Sequence, residues 1–162
     1  WPPLLGTDAA VQAFLAQVAN FYASGTVLTI QHQSRKTTLG VGTGTPLVKG
    51  ANQTGKSLVT DGWTASQTGI LKAGDLITLA SIPWVFEVTA DCNSDGATPS
   101  VATVSINPGI LAGASPADNA AIVVTSAAVF SVVIAEEPNW PTCPPDHYYV
   151  GFKLTFREVG SL

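Results

Sequence analysis

ILKAGDLITLASIPWVFEVTADCNSDGATPSVATVSINP, residues 70–108, carries the pattern that decides the fold. Lys72-Ala73-Gly74-Asp75 makes a tight turn into a strand within ILKAGDLITLA. A second strand follows at 84–90 in SIPWVFEVTA, then a long polar turn, DCNSDGATPS, and a third strand at 101–108. Short apolar runs separated by Gly, Pro, Asn and Asp predict an antiparallel meander.

Upstream, residues 7–24 form the one good helix candidate. Thr7 or Asp8 can cap it, Val11, Phe14, Leu15, Val18 and Tyr22 make one apolar stripe, and Gly25 ends it. The period then changes to two: TVLTIQH (26–32) is a strand, and SRKTTLGVGTGTP is a loop or exposed arm with Arg35 beside Lys36. Residues 47–69 are rich in Gly, Thr and Ser with short β-like pieces such as Ser57–Thr60. Downstream, GILAGASPADNAA is a loop, and 121–125 and 128–135 are two strands. A Pro-rich stretch precedes a closing strand, YYVGFKLTFREV, in which Phe152, Leu154 and Phe156 face one way and Lys153, Thr155 and Arg157 the other. One helix and about eight strands give a mainly β chain, a β-sandwich or barrel scaffold with an N-terminal amphipathic helix.

Composition narrows the function. Charged residues are 11% and hydrophobic ones 46%, and so low a charge points to surface buried in an assembly. Between Gly74 and Gly151 there is no Lys or Arg, while Asp75, Glu87, Asp91, Asp95, Asp118, Glu136, Glu137 and Asp146 all lie there. A phosphate backbone finds little to hold on such a stretch, so nucleic acid is not an expected partner. No apolar run is long enough to span a bilayer, and nothing resembles a signal peptide. Met is absent even at position 1, so the chain is processed or numbered from an internal residue. Cys92 and Cys143 lie in turn-rich settings and fit either a disulfide or two free thiols.

GANQTGKS, residues 50–57, fills every fixed position of a phosphate-binding loop: Gly50, Gly55, Lys56 and Ser57. Such a loop joins a buried strand to a long helix whose N-terminus faces the phosphates. LVTDGWTASQTG follows here, with Gly62 and β-branched and turn residues that do not make a long helix. The match is therefore judged false, and no nucleotide or other cofactor is expected. Asp91, Asn93, Asp95 and Gly96 fit the first half of a calcium loop, but the twelfth position is Ala102 rather than Glu and no helix flanks it. The three are a weak calcium candidate against the blander reading of a polar hairpin turn, and no metal is expected. His32 and His147 are far apart, no G-x-S-x-G occurs, and the C-x₃-H spacing of Cys143 and His147 lacks the other ligands of a zinc site. No catalytic residue is assigned. Trp63 and Trp84, with Arg35 and Lys36, are the candidate binding or interface residues; Trp63, Trp84 and Trp140 are more often core or interface anchors than sugar platforms.

In order, WPPL, the helix DAAVQAFLAQV, GTGTPLVKGANQTGKSLVTDGW, ILKAGDLITL, VFEVTADCNSDG, VSINPGI and SPADNAAIVV resemble a family of tail proteins of long-tailed bacteriophages, distal-tail or minor tail proteins. QTGKSLVTDGW (53–63) and LKAGDLI (71–77) are the most specific parts. In such proteins the place of Lys56 is variable, which a phosphate-contacting lysine does not allow. They generally carry a further N-terminal β segment, so N-terminal residues are expected to be missing here. The resemblance implies a helix-plus-β scaffold from 1–45 and 120–162 with an inserted β-module at 46–119. It implies a non-enzymatic virion protein whose partners are copies of itself in a ring and other tail proteins. The alternative is a module, within the insert, that binds a host-surface glycan or protein.

Overall fold

The computed structural model describes residues 4–5, 9–32, 37–80, 82–124, 128–138, 148–149 and 153–159. The elements run β1 (Leu4–Leu5), α1 (Ala9–Ser24), β2 (Leu28–Ile30), β3 (Gly44–Val48), β4 (Gly55–Trp63), β5 (Leu76–Leu79) and β6 (Val85–Val88). They continue with β7 (Ser100–Ile110), a short 3₁₀ turn at Ala112–Ala114, β8 (Ile122–Val124), β9 (Phe130–Ile134), β10 (Tyr148–Tyr149) and β11 (Phe156–Glu158). The chain is mainly β with one helix, and it divides into two compact units, Trp1–Thr29 with Ser131–Leu162, and Ile30–Phe130.

The first unit holds α1 and two small sheets, β1 with β10 and β11-β9-β2. Val11 and Val18 are the buried positions of α1, with Phe14, Leu15 and Phe21 partly buried. The stripe thus runs to Phe21 where the sequence reading placed Tyr22, which is exposed; a 3.6-residue period allows either position after Val18. Gly25, at φ 62°, ends the helix as expected. Its N–H donates to the carbonyl of Tyr22 and that of Thr26 to Phe21, the paired bonds that close a helix on a left-handed residue. The closing strand is shorter than the sequence implied. Its described part pairs Phe156, Arg157 and Glu158 with Ile134, Val133 and Val132, and Phe156 is exposed on this edge strand. Phe152 lies outside the described residues.

The second unit is built on a six-stranded antiparallel sheet, β3-β4-β7-β6-β5-β8. The meander predicted from 70–108 is its β5-β6-β7 portion. The two end strands meet: Leu47 bridges Ala121, the N–H of Val48 donates to Ala120, and that of Asn119 donates to Val48. The sheet is thereby nearly closed into a barrel, which removes the free edges an open sheet would present. β3 and β8 both belong to this sheet, and the larger unit that contains it runs from Ile30 to Phe130.

Inward positions alternate along β7 as Ser100, Ala102, Val104 and Ile106. On β4 the inward residues are Leu58, Thr60 and Trp63, a sequence that breaks alternation. The register shift between Thr60 and Trp63 is the reason: an extra residue in a bulge returns Trp63 to the interior. Gly62 sits in that bulge at φ 75°, and a Cβ there would run into the carbonyl of Thr45 on β3. Phe86, Ile77, Val88 and Val48, all fully buried, complete the core. Its one hydroxyl-to-indole pair is satisfied: Thr60 donates to the carbonyl of Ala102 (2.9 Å) and accepts from Trp63 Nε1 (2.7 Å).

Candidate functional site

Residues 50–57 occupy the loop between β3 and β4 and the first residues of β4, so a strand follows Gly55 where a phosphate cradle has a helix. Gln53 fills the loop. Its Nε2 reaches the carbonyls of Lys49 (2.8 Å), Gly50 (3.2 Å) and Val59 (2.9 Å), and its Oε1 accepts from the N–H of Val59 (2.6 Å). The N–H of Gly50, a group that would face a phosphate, donates to Asp118 Oδ1 at 2.7 Å. Lys56 is exposed, with its stem against Gly109. Gln53 is the organising residue of this loop, and the sequence reading did not single it out, because the motif directs attention to the glycines and the lysine.

The residues of DCNSDG are likewise tied to backbone. Asp91 Oδ1 accepts from Ala73 (3.0 Å), and Asn93 Oδ1 from Gly69 (2.7 Å). Asp95 Oδ1 accepts from Ala97 (3.1 Å) and Val101 (2.7 Å). Three acceptors thus serve three separate stretches of backbone rather than one centre. Among the described residues, no group of three or more His, Cys, Asp or Glu is placed to hold a metal. The N–H bonds from Val101 and then Ala97 hold the Asp95 carboxyl below the usual aspartate value.

Of the four candidate binding residues, Trp63 is corrected to a core residue: it is 4% exposed, and its indole N–H is taken by Thr60. Trp84 is partly buried, packs on the barrel core and meets Phe86 edge-on, with ring centroids 6.2 Å apart. Arg35, Lys36, Trp140, Cys143 and His147 lie outside the described residues. Cys92 is a free, buried thiol whose pKa is raised by desolvation, an unreactive setting.

Two features that the motifs did not mark are better built. The first is a clamp. Asp75 is fully buried, and its carboxylate accepts from the N–H groups of Leu39 (2.6 Å), Gly40 (3.0 Å) and Lys72 (2.8 Å). The next two N–H groups, of Val41 and Gly42, donate to the carbonyls of Gly69 and Ile70. Four consecutive amides of one strap are therefore fixed, while the side chains of Leu39 and Val41 stand 60% and 54% exposed. The sequence located the Lys72–Asp75 turn but not its reach to residues 39 and 40.

The second feature is a half-open pocket of about 330 Å³ on the outer face of the β5-β6-β7 meander. Leu76, Glu87 and Asn107 stand in one row across its three strands. Leu76 and Val85 form an apolar floor together with Ala128, against which Phe130 packs. Pro108 and His32 complete the lining, and the rings of His32 and Phe130 lie 6.4 Å apart at 45°. All of these residues belong to the larger unit. His32 was noted in the sequence as an isolated histidine; its neighbours come from strands far along the chain. No protein-family model matches this sequence, and no curated protein matches it significantly.

Proposed function

We propose that this chain is a structural, non-enzymatic subunit of a tailed-phage particle, a distal-tail or tail-tip protein that packs against copies of itself in a ring. The observation that carries the reading is the strap at residues 39–42. A buried carboxylate and two carbonyls hold its backbone, and two apolar side chains stand exposed on that fixed backbone. A backbone that is already held has less entropy to lose on docking, which favours a protein contact. A chain with 11% charged residues has few surface charges to oppose such packing. The resemblance of residues 53–63 and 71–77 to phage tail proteins is the reason for suggesting this particle and this location. The host-recognition alternative has less support, since Trp63, one of its two tryptophans, faces the core.

The test is the mass of the purified chain by light scattering, with negative-stain images of the same sample, for the wild type and for Leu39→Asp combined with Val41→Asp. Rings in the wild type and smaller species in the variant are expected. Closed shells would keep self-assembly and overturn the tail placement. A wild-type monomer at every concentration, unchanged by the variant, would overturn the assembly reading.

A further inference from the structure

The barrel closes on a short seam. β3 and β8 meet in one isolated bridge, Leu47 to Ala121, whereas β8 registers three pairs with β5 on its other side. The sequence of β3 dictates this shortness. Lys49 turns its N–H to the carbonyl of Val59 on β4 (3.0 Å), so by alternation Val48 and Pro46 are the residues whose backbone faces β8. Val48 uses both of its groups: its N–H donates to Ala120 (2.9 Å) and its carbonyl accepts from Asn119 (2.9 Å). Pro46 has no N–H to give, and the register of β3 against β4 shifts between Gly44 and Leu47, so the seam does not lengthen along the strand.

We infer that the barrel opens along the β3–β8 seam before its other strand pairs part, and that Asp118 is the latch. Asp118 Oδ1 accepts from the N–H of Gly50 (2.7 Å), just past the end of β3, and its Oδ2 accepts from Asn119 Nδ2 (3.1 Å). Asn119, at φ 59°, is the residue whose own N–H holds the Val48 carbonyl. One carboxylate thus ties the β3–β4 loop to the segment that enters β8, by a bond to charge that is stronger than a neutral one. The bond is exposed, where water competes for both partners, so it is releasable. Opening costs less than unfolding because the ladders on the far sides of β3 and β8 stay intact. It uncovers Val48 and Ile122, both buried when the seam is shut, and turns two paired strands into two sheet edges, the form in which a sheet takes up an added strand.

Native-state amide exchange of the full chain, followed by NMR, tests this. Val48 and Lys49 are adjacent on one strand but face opposite neighbours, and Ala80 holds the far side of β8 through the carbonyl of Ala121 (2.9 Å). Val48 and Asn119 should exchange about tenfold or more faster, relative to their unstructured rates, than Lys49, Ala80 and the amides of the β4–β7 ladder. Val48 as slow as Lys49 and Ala80 would overturn the inference. Lys49 as fast as Val48 would mean that β3 peels from β4 instead, and would overturn it too. Asp118→Ala should accelerate Val48 and Asn119 about three- to tenfold and leave Lys49 and Ala80 unchanged. Asp118→Asn, which keeps an acceptor for Gly50, should restore part of that protection. Equal acceleration of all these amides by Asp118→Ala, or no acceleration, would overturn the latch.

Discussion

Replacing Asp75 by Asn removes a charge and leaves the shape, so it isolates the clamp. The carboxylate accepts from Leu39 on one oxygen and from Gly40 and Lys72 on the other. An asparagine can keep its oxygen on the Gly40 and Lys72 pair, and its NH₂ then points at the N–H of Leu39, donor against donor. One unsatisfied group costs about 1–3 kcal/mol, and two bonds that fall from charged to neutral strength lose about 1 kcal/mol each. Against this stands the relief of no longer burying a carboxylate, which is fully inaccessible here. The net expectation is a loss of about 2–4 kcal/mol, a large part of the roughly 5–15 kcal/mol that holds a domain together. With a urea slope of about 2 kcal/mol per molar, the midpoint should fall by about 1–2 M. Tryptophan fluorescence can follow the transition, because Trp63 lies in the barrel core. Amide exchange of Leu39 and Gly40 should accelerate in the folded variant, as the strap loosens first. A midpoint within about 0.3 M of wild type, with the Leu39 and Gly40 amides as slow as before, would refute the reasoning.

The β3–β4 loop makes an inverted prediction: Lys56→Ala should change stability by less than about 0.5 kcal/mol, whereas Gln53→Ala should cost about 1–3 kcal/mol. Thermal melts that rank them the other way would return attention to the lysine. Gly62→Ala forces a methyl toward the Thr45 carbonyl at a positive φ and should cost about 3 kcal/mol by chemical denaturation. The Asp95 carboxyl binds its proton less readily in the folded chain than in the unfolded one, so its contribution is complete above the ordinary aspartate pKa and fades as pH falls through the lower folded value. Carbon-detected NMR should show that depressed titration, and Asp95→Asn should flatten the acid limb of the stability curve slightly, since the group is solvent-screened. In a Cys143→Ser background, Cys92 should react with a disulfide reagent only as fast as the protein unfolds, and rapid labelling of the native chain would contradict its burial.

The parts of the fold that were legible in sequence are those whose signal is local. β5, β6 and β7 announce themselves because short apolar runs sit between turn residues, and the helix because its stripe and Gly25 lie within a few turns of each other. Barrel closure was not legible. It depends on Leu47 meeting Ala121, two residues whose own neighbourhoods carry no mark of the pairing. For Trp63 the sequence offered core or interface without deciding between them, for a different reason. A bulge shifts the phase of alternation, so counting by twos from Thr60 points the wrong way.

The site residues follow the same division, and the reason is the backbone's own demand for partners. Turns and loops at the ends of a small barrel expose N–H groups that no strand neighbour can satisfy, and short polar side chains are the means of satisfying them. That demand selects Gly, Asn, Asp, Ser and Gln at close spacing, the same residues that make phosphate and calcium motifs. GANQTGKS and DCNSDG are therefore what such loops look like when the acceptors serve the protein's own amides: Gln53 for Val59, Asp118 for Gly50, Asn93 for Gly69 and Asp95 for Val101. A ligand motif keeps its donors or acceptors convergent on an empty point, whereas these diverge onto separate stretches of backbone. The His32–Glu87–Asn107 pocket has the opposite character. Its polar groups come from distant stretches of sequence and line one concavity over an apolar floor, so no linear pattern could reveal it, and the antiparallel register of β5, β6 and β7 creates it.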